Sequence, residues 1–223
     1  MALPRSEVIE GTFRELSRLE ELIRSLSAGE WQTPSRCDGW TVADICGHVT
    51  GTFANIANGT LDALTLPDAP QREADERKGR SPEEVADELR DAIKVTRDIA
   101  DTFDDNAWAG PPPVDVPGTL GDAVEALWYD AYVHIDDINA ALGRPSERGP
   151  GLRASVSHVA FLLGDQKWGP ATLALDGLEA FPVNAGGGRT VTGDPLLFVL
   201  AATGRTDPSE LGLDETVNIY RPQ

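Results

Sequence analysis

Apolar residues recur every three to four positions over residues 5–27, where Val8, Ile9, Phe13, Leu16, Leu19, Leu22, Ile23 and Leu26 form one stripe of 3.6-residue period. That spacing predicts a first helix with one face in a core. The segment DGWTVADICGHVTG opens a second helix, with Thr41 as N-cap and Asp44, three residues on, completing a capping-box pair. Ser81, Pro82 and Glu84 start a third helix in the same way, and it runs to about Phe103. The run AGPPPVDVPG breaks the chain. A fourth helix spans Thr119 to Leu142 and stops at Gly143 before Pro145. Residues Leu66 to Arg80 are polar, with two prolines and many charges, and read as a loop long enough to act as a mobile flap.

Four amphipathic helices predict a helical bundle. Beyond the linker GRPSERGPG, residues 143–151, the pattern changes. Leu152 to Leu163 reads as one more helix, ATLALDG alternates as a strand does, and NAGGGRTVTG reads as strand and turns. DPLLFVLAATGR is a helix capped by Asp194 with Pro195 in its first turn, and ETVNIYRP reads as a closing strand. The expected class is therefore mainly α with an α+β C-terminal part. The expected domains are a bundle over residues 1–145 and a small α+β domain over residues 151–223.

Composition adds exclusions. The 223-residue chain is 40% hydrophobic, enough for a core, and carries a formal net charge of −18. Such a surface repels phosphate backbones and anionic lipid heads, so neither nucleic acid nor a membrane is an expected partner. The longest apolar run, Leu196 to Ala202, is far short of the roughly 20 residues that span a bilayer. The N-terminus shows no basic start followed by an apolar core. Two cysteines, Cys37 and Cys46, make neither a CxxC pair nor a disulfide framework, and a reduced, cytoplasmic compartment fits them best.

The candidate chemistry lies in the stretch WYDAYVHIDD of the fourth helix. Asp130, His134 and Asp137 stand at i, i+4 and i+7 and so share one stripe, which is partly core-facing. A carboxylate buried there needs a partner, because an unpaired one costs several kcal/mol. An acid and a histidine at this spacing suit one metal ion, although the same spacing is also that of an ordinary surface salt bridge. His48, in the second helix, is the candidate third ligand, since bundles build metal sites from facing helices. A His, Asp, His set leaves one position open for water or substrate, which is the catalytic pattern for zinc. Asp137 or Asp44 would then accept the other ring N–H of a ligand histidine. The remaining histidine, His158, reads as structural, and Trp40 reads as core at the start of the second helix. Cys37 and Cys46 read as structural, although Cys37 lies where a helix dipole favours a thiolate. Arg205 and Arg221 are the basic candidates for holding an anionic substrate or cofactor.

Three segments carry a family resemblance. WQTPSRCDGWTVADICGH, residues 31–48, resembles the opening signature of the mycothiol-dependent maleylpyruvate isomerase family, a branch of the DinB-like metalloproteins. DAYVHIDD, residues 130–137, resembles its second signature, and GDPLLFVLAATGR, residues 193–205, its C-terminal segment. The resemblance implies a DinB-like four-helix bundle followed by a domain related to sterol-carrier folds. It also implies a divalent metal, most commonly Zn2+, held by His48, Asp130 and His134. One departure is Asp130, where the family usually has Glu; the shorter acid needs the ion nearer the fourth helix.

The resemblance further implies a low-molecular-weight thiol, mycothiol, as co-substrate and a small electrophile as substrate. A metal in an open site makes a thiol nucleophilic at neutral pH. Addition, bond rotation and elimination then give isomerisation, whereas addition or displacement alone gives an S-transferase. The competing reading is a non-catalytic small-molecule-binding or stress-related protein of the same fold. Which thiol, which electrophile and which metal stay open at this stage, as does the choice between monomer and homodimer.

Overall fold

A computed structural model describes residues 3–221. The described residues divide into two compact units, one of Arg5–Ser146 and one of the chain from Glu147 onward together with Leu3 and Pro4.

The first unit is built on four long helices: α1 (Arg5–Ser25), α3 (Val42–Ala57), α5 (Pro82–Ala100) and α7 (Leu120–Ala141). Each of the last three begins at a capping box. Thr41 with Asp44, Ser81 with Glu84 and Thr119 with Asp122 exchange side-chain and backbone hydrogen bonds, satisfying N–H groups that the first turn leaves free. Helix α1 packs against α5 and α7, and α3 packs against the same two. The stripe predicted for α1 is buried, from Ile9 and Phe13 through Leu16 and Leu19 to Ile23. It meets Ile45, Val49 and Phe53 of α3, Val85 and Leu89 of α5, and Ile135 and Ile138 of α7 in one apolar cluster. Each such side chain contributes roughly 1.5–3 kcal/mol by leaving water.

Three short helices lie between the long ones: α2 (Ala28–Trp31), α4 (Ala69–Asp75) and α6 (Asp105–Ala109). Helix α4 corrects the expectation of a loop over residues 66–80. Its buried positions are Ala69, Glu73 and Ala74, so no apolar stripe advertises it. It is held instead by a close approach to α3 and by polar contacts.

The second unit opens with α8 (Pro150–Asp165) and continues through β1 (Ala171–Leu175), β2 (Phe181–Val183), β3 (Arg189–Gly193) and α9 (Pro195–Ala202). The sheet order is β2-β1-β3. Strand β1 runs antiparallel to β2, with Leu173 opposite Phe181, and parallel to β3, with Leu173 opposite Val191. Ala171, Leu173 and Leu175 of β1 point inward, as alternation predicts. Asp194 caps α9 through the Leu197 N–H. The closing strand expected from ETVNIYRP is absent: Glu215–Val217 is a turn of 3₁₀-helix that Asp214 caps through the Thr216 N–H. His158 is buried on α8, its ring centroid 6.3 Å from that of Phe161. No helix among the described residues is long and apolar enough to cross a membrane.

Candidate metal centre

The capping box at Thr41 fixes where α3 starts and so which residues face α7. His48 falls nearly two turns in, and its ring meets that of His134 edge to face, with centroids 5.2 Å apart. Between them stands Asp130. Its Oδ2 lies 3.7 Å from Nε2 of His48 and its Oδ1 lies 3.5 Å from Nε2 of His134. The three expected ligand residues are thus brought together, with donor atoms all within 4.8 Å of one another. The shorter acid reaches both imidazoles, one oxygen to each.

The opposite ring nitrogens face carboxylates. Nδ1 of His134 lies 2.9 Å from Oδ2 of Asp137, as the i, i+3 spacing on one helix allows. Nδ1 of His48 lies 2.8 Å from Oε2 of Glu73 on α4. Each carboxylate, by accepting from an Nδ1–H, leaves Nε2 as the ring nitrogen that faces Asp130. One donor atom from each of the three residues lies within 4.8 Å of the others, a grouping that could hold a single ion. Two imidazoles and a carboxylate, with charge-bearing acids behind them, fit a borderline divalent ion.

Electrostatics point the same way. Burial pulls the pKa of His48 down, but the hydrogen bonds and charges of Asp130 and Glu73 outweigh it and hold it up at about 9. In the metal-free chain a proton therefore occupies a place that suits a cation. His48 and Glu73 are both buried, while Asp130 is partly open, with 29% of its side chain exposed, leaving the donor set reachable from one side.

A second group of possible donors, Cys37, His134 and Asp137, lies next to the first. Here a cation is already present. The Arg36 guanidinium bonds Asp137 at 2.6 Å and Asp136 at 2.5 Å, and the Cys37 thiol donates to Asp137 at 3.2 Å. This cluster is a hydrogen-bonded brace behind His134.

Other expectations fare differently. Asp44 does not back a histidine; its carboxylate is spent on Thr41 in the α3 cap. Glu73 has that role, and sequence reading missed it because it lay in the supposed loop. Arg36 was missed as well, since its acidic partners are 100 and 101 residues away. Trp40 is only half-buried; its indole N–H donates to Gln71 of α4 at 3.0 Å and its ring lies 5.5 Å from that of His48. Cys46 is fully buried and its thiol pKa is pushed up by that burial. Arg205 and Arg221 belong to the second unit, Arg205 just after α9 with its backbone N–H on Leu200, and Arg221 exposed.

Residues 13–139, more than half of the chain, match the family model described as the mycothiol maleylpyruvate isomerase N-terminal domain. The fold is similar to two crystal structures of mycothiol-dependent maleylpyruvate isomerase, one of them a histidine-to-alanine variant. Sequence identity is 16% to that variant and 17% to the other, each with a TM-score of 0.66 and 96% of both chains covered, so this likeness speaks to the fold alone. No curated protein matches the chain in sequence. A bundle with this match across all of α3 and α5 and most of α1 and α7 belongs to the mycothiol maleylpyruvate isomerase family.

Proposed function

We propose that this protein is a metal-dependent enzyme that uses a low-molecular-weight thiol, mycothiol, to isomerise a small electrophilic substrate of the maleylpyruvate kind. Transfer of the thiol to such an electrophile is the alternative outcome of the same first addition. The observation that supports this reading is the convergence of His48 Nε2 and His134 Nε2 on the two oxygens of Asp130. Family membership supports the thiol.

His48, Asp130 and His134 are the residues that would hold the ion. When bound, a divalent ion of the zinc type supplies a Lewis acid that lowers the pKa of a thiol into the neutral range. The chain's own residues prepare the site. Glu73 holds the Nδ1 proton of His48 and Asp137 that of His134, which fixes both tautomers. Arg36 holds Asp137 in place. The Trp40 ring lies beside that of His48, with centroids 5.5 Å apart. In the isomerisation, sulfur adds to one carbon of an activated double bond, the resulting single bond rotates, and elimination restores the double bond and the free thiol.

Metal content of the purified protein tests the reading. About one ion per chain, lost in folded His48→Ala and His134→Ala variants, is expected. Thiol-stimulated turnover should disappear with it. Failure to take up zinc on reconstitution refutes the metal site, and equal turnover by metal-free and zinc-loaded protein refutes the mechanism.

A further inference from the structure

Helix α4 rests on α3 through contacts that leave no room for a side chain. A Cβ on Gly51 would stand 2.5 Å from the Glu73 Cβ and 2.7 Å from its Cγ. A Cβ on Gly47 would stand 3.2 Å from the Ala74 Cα. The two glycines are one turn apart, and both are buried. They form a seat for a helix that has almost no apolar face of its own.

What α4 carries into that seat is polar. Glu73 is 3% exposed, and its carboxylate takes the Nδ1 of His48 at 2.8 Å, the Thr52 hydroxyl at 3.2 Å and the Asn55 amide at 3.0 Å. All three partners are on α3. Gln71 accepts from the Trp40 indole on the other side of His48. Arg77, just past the helix end, donates to the Glu73 carbonyl and to both carboxylate oxygens of Glu88 on α5. The two histidines are therefore braced in different ways. His134 takes its acid from its own helix, while His48 takes its acid from a separate segment that must dock.

We propose that Glu73 is a positioning residue that readies His48 for the metal, and that the Gly47–Gly51 seat exists to bring it there. This rests on the metal-site reading above. Docking of Ala69–Asp75 and filling of the His48–Asp130–His134 site are then linked, and linkage is reciprocal. Whatever loosens α4 weakens the ion by a given factor, and the ion tightens α4 by the same factor. A buried carboxylate that loses its imidazole keeps only the neutral donors Thr52 and Asn55, so the docking of α4 is weakened when His48 is displaced.

Zinc affinity, measured by competition with a chromophoric chelator, should fall 10–100-fold in Glu73→Gln, which keeps the shape but loses the charge. Gly51→Ala should weaken zinc comparably. The visible absorption bands of the cobalt(II)-substituted protein should move in both variants. Hydrogen exchange over residues 69–77 should slow on zinc binding in the wild type and much less in Glu73→Gln. Should Gly51→Ala fail to fold, Glu73→Gln carries the test. If His48→Ala loses the ion while Glu73→Gln binds zinc within twofold of wild type with unmoved cobalt bands, the linkage is wrong and the metal site stands. If the wild type binds no ion, both fall.

Discussion

Arg36 and Asp137 are joined by a 2.6 Å hydrogen bond from Nε to Oδ1, across 101 residues of sequence. The same guanidinium holds Asp136. Both acids are buried, at 2% and 0% exposed, so one cation compensates two charges that water does not reach. Removing it should cost about 3 kcal/mol, the lower end for breaking a buried pair because Arg36 is itself partly exposed. Urea unfolding of Arg36→Ala should show that loss. Arg36→Lys should recover part of it, since a point charge cannot fork onto two carboxylates. An Arg36→Ala protein as stable as wild type would mean that the Arg36 bonds to these acids add nothing to the fold.

The pH response of the metal-free protein should carry the mark of His48. Its pKa is raised from 6.5 to about 9 in the folded chain. A raised folded pKa means that the charged form is stabilised by folding, so the contribution is complete below about pH 6.5. It fades as pH climbs through 9. Stability of the metal-free protein should fall across that window, and His48→Gln should flatten the fall. Zinc should behave oppositely: binding expels the His48 proton, so affinity should rise roughly tenfold per pH unit up to about 9. Affinity independent of pH over this range would exclude His48 as a protonated group that the ion displaces.

The two thiols should separate cleanly under iodoacetamide. Cys46 is fully enclosed and its thiol pKa is pushed up by burial, so it should stay unmodified in the native state. Cys37 is only half-buried and should take the label. Peptide mass mapping should find one modified site on the native protein and two after denaturation. Labelling of Cys46 before unfolding would contradict the packing around α3.

The long helices were legible because two independent signals agreed on them. In α1 a stripe of seven apolar residues, from Val8 to Ile23, marks the buried face, and at Thr41 and Ser81 the capping partners lie three residues away, within the reach of a local pattern. His48, Asp130 and His134 were legible for a related reason: two sit one turn apart on α7, and few histidines compete for the third place. Helix α4 was not legible, because its seat is made by what Gly47 and Gly51 lack, and missing side chains leave no period to read. Glu73 was hidden with it. The segment at Glu215–Val217 has β-like residues, but the Asp214 cap bends it into a 3₁₀ turn, a local hydrogen bond outweighing propensity.

Helix α1 finds half of its cover very late in the chain. Gly11 leaves the space that the Trp128 ring fills, and the Trp128 indole donates to Glu15, 113 residues upstream. At about 5–20 residues per second on a ribosome, that partner emerges roughly 6 to 20 s after α1 does. For that interval the α1 stripe can be covered only from the side of α5, and the side that meets α7 stays exposed. A shortened chain that stops before Leu120 would remain in that condition permanently, a target for chaperones or for aggregation rather than a smaller bundle.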